Sequence, residues 1–425
     1  MRQPCVLLKY GELALKGRNR GRFEQQLLDN VRRSVAGLGP GVRVRRRRGV
    51  IVLSAPGRPG LHAELVARAR EVIGVSVVQP ALRVDRTPEA AAAAAVELAR
   101  GARPDRSVPR FAVRARRRQK DFPLTSGELA ALIGAEIGTE LGWPVDLSTP
   151  DVEVAVEVDR REIFVAVERH HGRGGLPVGC SGRALALLSG GYDSPVAAHR
   201  AMRRGLACDF VHFTGAPLTG PSSAYKAYAL VRRLARYQGE GRLWLIPLGH
   251  AQRELALVGA GSLHVVAQRR LMVRAADRLA RRHGAQALVT GDSLGQVSSQ
   301  TLSNLATVED VATLPLLRPL LAWDKEEIMA EARRLGTAEI SRLPDEDCCT
   351  LLAPRRVATR TTPGSLARLE QRLDVEATVE NLLTKARLLH VAPEEEDVQD
   401  DAAGLADDIP ARGDDADAPS AVAAS

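Results

Sequence analysis

The chain has 425 residues, which is enough for two or three domains that each bury an apolar core. Its net charge of +9 conceals an asymmetry, because residues 1–180 carry +11 and residues 391–425 carry −10. The five cysteines form no C-x-x-C pair, and no apolar run approaches the ~18 residues of a membrane span. These features argue against a disulfide framework, a zinc module and a membrane protein, and we expect a cytoplasmic protein.

The basic charge of the body has two interpretations. A partner with a phosphate backbone selects such a surface, because each neutralised phosphate releases counterions. An arginine-rich protein with a solvated surface has the same composition. Charge alone leaves both open.

The first half of the chain predicts a compact α+β arrangement. A buried strand is expected over 4–10, a helix from Phe23 to Val35 and strand-like segments over 42–53. A second unit begins near residue 61, with helices at 61–72, 88–100 and 125–141, a β-like stretch at 72–82 and strands at 110–116, 151–158 and 162–168. Together these segments favour a mixed sheet.

From Arg183 the pattern changes to strand, loop and helix, repeated. Strands are predicted at 184–188, 207–213, 242–248, 286–290 and 315–320, and helices at 194–204, 222–238, 262–283 and 324–335. This alternation predicts a doubly wound parallel sheet with ligands at the carboxyl ends of its strands. Residues 391–425 are acidic and without periodicity, which predicts a disordered tail.

The sequence SGGYDS, residues 189–194, follows the apolar strand 184–188 directly and precedes a helix. Its two glycines let the backbone approach a phosphate closely, and the helix directs its positive end at the loop. The loop is neither a Walker A motif nor G-x-G-x-x-G. Asp193 is understandable in an anion-binding loop if Mg²⁺ accompanies the phosphates. An ordinary strand-to-helix turn is the alternative, and the acid together with the helix start favours phosphate binding.

The loop matches the S-G-G-x-D-S pattern of the PP-loop ATP pyrophosphatases. Three further segments, KYGELALKGRNR from Lys9, TGDSLGQVSSQT from Thr290 and EDCCT from Glu346, resemble the tRNA 4-thiouridine synthesis sulfurtransferases, which are also linked to thiamine biosynthesis. The resemblance covers residues 1–390 in order. It implies a ferredoxin-like domain (1–60), a THUMP RNA-binding domain (61–170) and a PP-loop domain (175–390), before the tail.

The same resemblance implies roles for individual residues. It places ATP at Leu187, Leu188, Ser189, Gly190, Gly191, Ser194, His212, Phe213, Arg269, Gly291 and Gln300. It gives catalytic roles to Asp193, Lys325 and Cys348 and, through the THUMP domain, tRNA contacts to Arg116, Arg117, Arg118 and Lys120. ATP and Mg²⁺ are the implied cofactors, tRNA and a cysteine desulfurase the implied partners, and a homodimer the implied assembly. On sequence alone Arg269 would be a paired surface charge and Lys325 an unremarkable helix residue.

The implied chemistry is adenylation of uridine O4 at position 8, followed by transfer of persulfide sulfur. Cys348 matches the family's sulfur-transfer cysteine, and the adjacent Cys349 shares or assists the role. Some relatives carry a C-terminal rhodanese domain, whereas residues after 390 show no cysteine. We therefore expect Cys348 to receive sulfur directly or from a separate protein, which also weakens a role in thiazole synthesis.

Two rival functions are compatible with the loop alone. One is a PP-loop amide or amidine synthetase, which leaves the basic first half and Cys348 without a purpose. The other is a tRNA-binding protein with an inactive nucleotide pocket, against which the intact loop and Lys325 argue. Pyrophosphate release measured with and without tRNA separates the three.

Overall fold

The structure is a computed structural model that describes residues 2–15, 17–47, 49–102, 107–344 and 352–393. The chain divides into two compact units, Met1–Pro177 and Val178–Ser425. Within the described residues, no helix combines the length and the apolar character needed to cross a membrane.

The first unit contains eight strands and four α-helices among its described residues. In chain order they are β1 (Gln3–Lys9), α1 (Arg20–Ser34), β2 (Arg43–Arg47), β3 (Val50–Ser54), α2 (His62–Glu71), β4 (Val77–Asp85), α3 (Pro88–Gly101), β5 (Phe111–Arg117), α4 (Ser126–Leu141), β6 (Val152–Val158), β7 (Glu162–Ala166) and β8 (His170–His171). The strands form one sheet in the order β2-β3-β1-β4-β7-β6-β5, and β8 pairs with β4. β5 and β6 are parallel, whereas the other pairs are antiparallel, so the predicted mixed sheet is confirmed.

Local sequence signals explain where the helices of this unit begin. The side chain of Thr125 accepts a hydrogen bond from the Glu128 amide, and the Glu128 carboxylate accepts one from the Thr125 amide, which forms a capping box at the start of α4. Thr87 caps α3, and Pro88 occupies its first turn. The alanine-rich face of α3 and the branched residues of α4 then pack over the sheet in one apolar core.

The sheet runs across the predicted domain boundary at residue 60. β4 lies beyond that boundary, yet it pairs with β1 over seven residues, from Gln3 opposite Arg83 to Lys9 opposite Val77. The two sequence units therefore share backbone hydrogen bonds, and where one domain ends and the other begins stays a prediction.

The second unit is built around a six-stranded sheet. Its elements are β9 (Arg183–Leu187), α5 (Asp193–Arg203), β10 (Ala207–Thr214), α6 (Ser222–Ala235), β11 (Gly241–Pro247), α7 (Gly249–Leu257), α8 (His264–Arg282), β12 (Ala287–Val289), α9 (Leu302–Glu309), β13 (Leu316–Leu317), α10 (Lys325–Leu335), α11 (Ala338–Arg342), α12 (Pro363–Glu370), α13 (Val375–Thr384) and β14 (Arg387–Val391). The strand order is β13-β12-β9-β10-β11-β14. Five strands are parallel and β14 runs antiparallel to β11, so the predicted doubly wound parallel sheet is confirmed.

The structure corrects several details of this unit. α6 ends at Ala235 rather than at 238, because the amides of Tyr237 and Gln238 donate to the carbonyl oxygens three residues back, those of Leu234 and Ala235, in a tighter turn before Gly239. β13 has two residues instead of the six predicted. β14 extends to Val391, which is fully buried, so the predicted tail begins too early. Residues 394–425 lie outside the described residues.

Candidate active site

The glycine loop lies where the chain order of the sheet reverses. β9 has β10 on one side and β12 on the other, so the chain leaves β9 in one direction and later returns to its opposite edge. The crevice at the carboxyl ends of two such strands is the usual ligand site of an open α/β sheet. It is bordered here by residues 188–192 after β9 and residues 290–301 after β12.

Two serine hydroxyls close the glycine loop on itself. Ser194 Oγ accepts a hydrogen bond from the Ser189 amide at 2.9 Å and donates to the Ser189 carbonyl oxygen at 3.2 Å. Ser189 Oγ lies 3.0 Å from Ser194 Oγ and accepts from the Gly191 amide at 3.3 Å. Ser189 and Gly191 are exposed, and Gly190 is half-buried. The bonds hold the loop in a fixed turn ahead of the N-terminus of α5, which suits anion binding.

Asp193 joins three separate segments of the unit. Its Oδ1 lies 3.0 Å from Lys325 Nζ, and its Oδ2 accepts a hydrogen bond from Gln296 Nε2 at 3.0 Å. Lys325 also lies over the Tyr192 ring, 5.3 Å from its centroid. The structure thus brings together two of the three predicted catalytic residues, which are far apart in the sequence.

Lys325 occupies a position that helix energetics disfavours. It is the first residue of α10, whose capping box is formed by Asp324 and Glu327. A cation in the first turn opposes the helix dipole by about 0.3–1 kcal/mol. A local rule broken in this way is characteristic of a functional site, and the ion pair with Asp193 offsets the cost.

Gly291 is fixed by a close backbone contact. A Cβ at this position would lie 2.6 Å from the Ser194 nitrogen and 2.8 Å from its Cα. Only a glycine therefore lets the end of β12 approach the N-terminus of α5 this closely. Gly291 supports the site by bringing its two loops together.

A buried carboxylate organises the opposite side of the crevice. Asp292 is 4% exposed, and its Oδ1 lies 2.6 Å from Arg269 and 3.4 Å from the donating Gln300 Nε2. Its Oδ2 accepts from the Thr290 hydroxyl at 2.8 Å and lies 3.3 Å from Arg318 Nε. Burial acts to raise the pKa of Asp292, but Arg269, Thr290 and Arg318 together hold that pKa below its ordinary value.

Four of the residues predicted to bind ATP lie at the ends of β9 and β10. Leu187 is half-buried and Leu188 is buried. His212 donates from Nδ1 to the Leu188 carbonyl oxygen at 2.9 Å, which ties the two strand ends together. The side chain of Phe213 packs in the core of the unit. Any contact of this residue with a ligand therefore involves its backbone.

The four predicted RNA-binding residues differ in their surroundings. Arg116 and Lys120 are exposed. Arg117 donates to the Leu124 carbonyl oxygen at 3.0 Å, and Arg118 forms an ion pair with the buried Glu157. Two of the four side chains thus make contacts within their own unit, and the role of all four in binding stays a prediction.

Cys348, with its neighbour Cys349, lies outside the described residues. The other three cysteines are buried. Burial raises the pKa of Cys5 and of Cys208 to about 12, which leaves both thiols protonated at neutral pH.

Sequence reasoning missed several contacts of this site. The segment from Thr290 resembles a family motif, but the sequence alone gives no role to Asp292 or Gln296 within it, and none to Arg318. Ser341, whose Oγ donates to the Gly191 carbonyl oxygen at 3.2 Å, was also missed. The polar run GDSLGQVSSQ after an apolar strand was the available signal.

Comparison with known proteins agrees with this architecture. The family model described as Thiamine biosynthesis protein (ThiI) matches residues 179–375. The models of the ThiI ferredoxin-like domain and of the THUMP domain match residues 5–78 and 86–168. All three domains of the expected family are therefore present in the expected order.

Relatives and solved structures match over most of the chain. A probable tRNA sulfurtransferase of Nocardia farcinica is 62% identical over 91% of this chain and 93% of its own length. Its counterpart in Thermus thermophilus is 45% identical over 89% and 90%. A crystal structure of a 4-thiouridine synthetase–RNA complex with bound ATP aligns with a TM-score of 0.84 and 32% identity, covering 92% of this chain and all of that one. The chain belongs to the ThiI family of tRNA sulfurtransferases.

Proposed function

We propose that this chain is an ATP-dependent tRNA sulfurtransferase that makes 4-thiouridine at position 8 of tRNA. The observation that carries the proposal is the convergence of Asp193, Lys325 and the serine-closed glycine loop at the switch point of the sheet. Family membership supports the same activity.

ATP is proposed to lie across this crevice, with adenine against the backbone at the ends of β9 and β10. The backbone N–H groups of the loop and the start of α5 face the phosphates, while Arg269 and Lys325 supply positive charge. Two buried acceptors support the fit. The Oε1 atoms of Gln296 and Gln300 have no hydrogen-bond partner among the described residues, so each is an unsatisfied acceptor that a donor such as a ribose hydroxyl would satisfy.

Mg²⁺ fits this arrangement as a companion of the nucleotide. The described residues contain no cluster of three or more potential ligands, so they form no dedicated metal cage. A single carboxylate, Asp193, stands at the loop, and Mg²⁺ commonly binds through one or two carboxylates and substrate phosphates. When bound, it would neutralise phosphate charge, and Asp193 would be its protein ligand.

In the first step, O4 of the uridine attacks the α-phosphorus of ATP. The bond from this phosphorus to the bridging oxygen breaks, and pyrophosphate leaves. Lys325 and Arg269 stabilise the negative charge that develops on the phosphates. The carbonyl oxygen of C4, a poor leaving group, is thereby converted into a phosphoester of AMP, while N3 of the uracil ring loses its proton to solvent and regains one when the thiocarbonyl forms.

In the second step, the terminal sulfur of a persulfide on Cys348 attacks C4. The C4–O bond breaks, and AMP leaves with its electron pair. A further thiol, from Cys349 or from outside the chain, then attacks the Cys348 sulfur and releases the thiolated base, leaving a disulfide. The raised thiol pKa values of the buried Cys5 and Cys208 argue against either of them as the sulfur carrier. A cysteine desulfurase is the proposed source of the persulfide.

The first unit is proposed to hold the tRNA. The net charge of +11 over residues 1–180 and the exposed Arg116 and Lys120 support phosphate contacts there. Arg117 and Arg118 would contribute by stabilising the surrounding surface. We further propose a homodimer and a link to thiazole sulfur supply, both in line with the family.

The test is the appearance of 4-thiouridine in tRNA. Unmodified tRNA is incubated with the protein, Mg·ATP, a cysteine desulfurase and cysteine, and its nucleosides are measured by mass spectrometry. The Asp193→Asn variant should lose the product. The Asp374→Asn variant, which changes a helix-capping aspartate of α13, should keep it. No 4-thiouridine from the unaltered protein would refute the proposal.

A further inference from the structure

Asp292 lies at the centre of the nucleotide side of the crevice without a role in the chemistry above. One of its oxygens contacts Arg269 from α8 and Gln300 from the loop after β12. The other oxygen contacts Arg318, which follows β13. The carboxylate is almost completely buried and faces donors from each of these segments. So many converging donors around one anion indicate a built arrangement.

Asp292 is unsuited to contact a phosphate itself. A carboxylate repels a phosphate, so its effect on a nucleotide must be exerted through the cations and amides that it holds. Two of these partners, Arg269 and Gln300, belong to the set proposed to contact ATP. The inference that follows therefore rests on the proposed function.

Fixing these side chains in advance favours binding. An arginine side chain loses considerable rotamer freedom when it is immobilised, and that loss weakens binding unless it occurs during folding. Arg269 is held at one end by Asp292 and by the Ser299 carbonyl oxygen, which it contacts at 3.3 Å. The guanidinium is thus ordered before a ligand arrives.

Arg318 holds the other carboxylate oxygen of Asp292. It is itself paired with Glu309 on α9 and donates to the Leu305 carbonyl oxygen at 3.3 Å, which anchors it to that helix. Asp292 is therefore fixed in position, and so is the Arg269 guanidinium that it contacts.

We propose that Asp292 is the positioning residue of the nucleotide site, holding the Arg269 guanidinium and the Gln300 amide as one unit for the phosphates and ribose of ATP. Arg318 anchors this unit to α9. Asp193 and Lys325 form a separate cluster, which contacts Gln296.

The experiment is a double-mutant cycle of Asp292→Asn and Arg269→Gln, with Mg·ATP binding measured by calorimetry without tRNA. Asp292→Asn should raise the Kd for ATP about tenfold, and much less in the Arg269→Gln background, because the two residues act together. In the complete reaction the KM for ATP should rise similarly, with kcat within about threefold of the unaltered protein.

A matched control separates positioning from general stability. Asp277 on the same helix as Arg269 is equally buried and accepts hydrogen bonds from the Thr313 and Leu314 amides. Asp277→Asn should lower the Tm without changing the Kd for ATP. If Asp292→Asn does not fold, Thr290→Val removes one donor to Asp292 and should raise the Kd a few-fold, again only when Arg269 is present.

Several results would overturn the inference. Unchanged or tighter ATP binding by Asp292→Asn would mean that the carboxylate only repels the phosphates. Additive effects of the two substitutions would mean that Asp292 does not act through Arg269. Tight ATP binding by the unaltered protein without any tRNA thiolation would instead refute the proposed function. The double-mutant cycle would still show whether Asp292 acts on ATP binding through Arg269.

Discussion

Gly291→Ala offers a direct test of how the two loops of the site are held together. The new Cβ would lie 2.6 Å from the Ser194 nitrogen and 2.8 Å from its Cα, far inside normal contact. Both neighbouring atoms belong to the backbone of α5, so no side chain can rotate away. Forcing a methyl group into such a contact costs about 1–3 kcal/mol. The end of β12 must therefore move away from the glycine loop.

The displacement should affect binding as well as stability. For a unit of this size, each kcal/mol lowers the Tm by about 2–4 °C. Moving the loop after β12 also moves Gln296 away from Asp193 and Gln300 away from the nucleotide, so the KM for ATP should rise at least tenfold. Thermal unfolding and pyrophosphate release measure the two effects.

Gly364→Ala is the matched control for this substitution. Gly364 lies in α12, and a Cβ there meets no atom within 4 Å. An alanine at this exposed position in the first helical turn should change the stability by less than about 0.5 kcal/mol and leave the KM unchanged. A Gly291→Ala protein with unaltered Tm and KM would refute the close packing of β12 against α5.

Four further predictions follow from the contacts of single residues. Lys325→Gln should change the free energy of unfolding by less than about 1 kcal/mol, because the ion pair of Lys325 with Asp193 is half-exposed. The same substitution should reduce the rate of pyrophosphate release at least 100-fold. An unaltered rate would contradict the role of Lys325. The pKa of Asp292 is lowered in the folded state, so the stabilising contribution of its carboxylate is present above the ordinary value of 3.8 and is lost as pH falls through the folded pKa. The Tm difference between the unaltered protein and Asp292→Asn should therefore shrink below about pH 4. A Tm difference that stays constant with pH would contradict this. Cys5 and Cys208 should resist alkylation at neutral pH until the protein unfolds, because burial raises the pKa of each thiol to about 12. Mass spectrometry of the alkylated protein measures this. Rapid labelling of either cysteine in the native protein would contradict the burial of its thiol. Arg118→Ala should lower the Tm, because it removes a partner of the buried Glu157. Arg116→Ala should instead weaken tRNA binding and reduce its salt dependence, with little change in Tm, because Arg116 is exposed. The reverse pattern would contradict a structural role for Arg118 and an RNA-binding role for Arg116.

The sequence was sufficient to predict the sheet and the glycine loop because both depend on local signals. The apolar strand before Ser189, the small residues of the loop and the capping residues of α4 act within a few positions of themselves. The parallel arrangement follows from the alternation of strands and helices. These features need no knowledge of distant contacts.

The contacts that complete the site could not be predicted in the same way. Asp193 and Lys325 meet because α10 begins at the carboxyl end of the sheet. Arg269 and Arg318 meet on Asp292 because α8 contacts β12 and β13 pairs with it. Each pairing depends on tertiary geometry. β14 was missed for a related reason, since a short segment after the last helix gives no sign that it adds an antiparallel edge to β11.

Pyrophosphate release with and without tRNA, in the absence of any sulfur donor, separates adenylation of tRNA from other uses of ATP at this site. We expect a burst of pyrophosphate that requires Mg·ATP and unmodified tRNA, matches the amount of active sites and disappears in Asp193→Asn. Release that is equally fast without tRNA, or that needs a small amide-forming acceptor instead, would show that the protein does not adenylate tRNA.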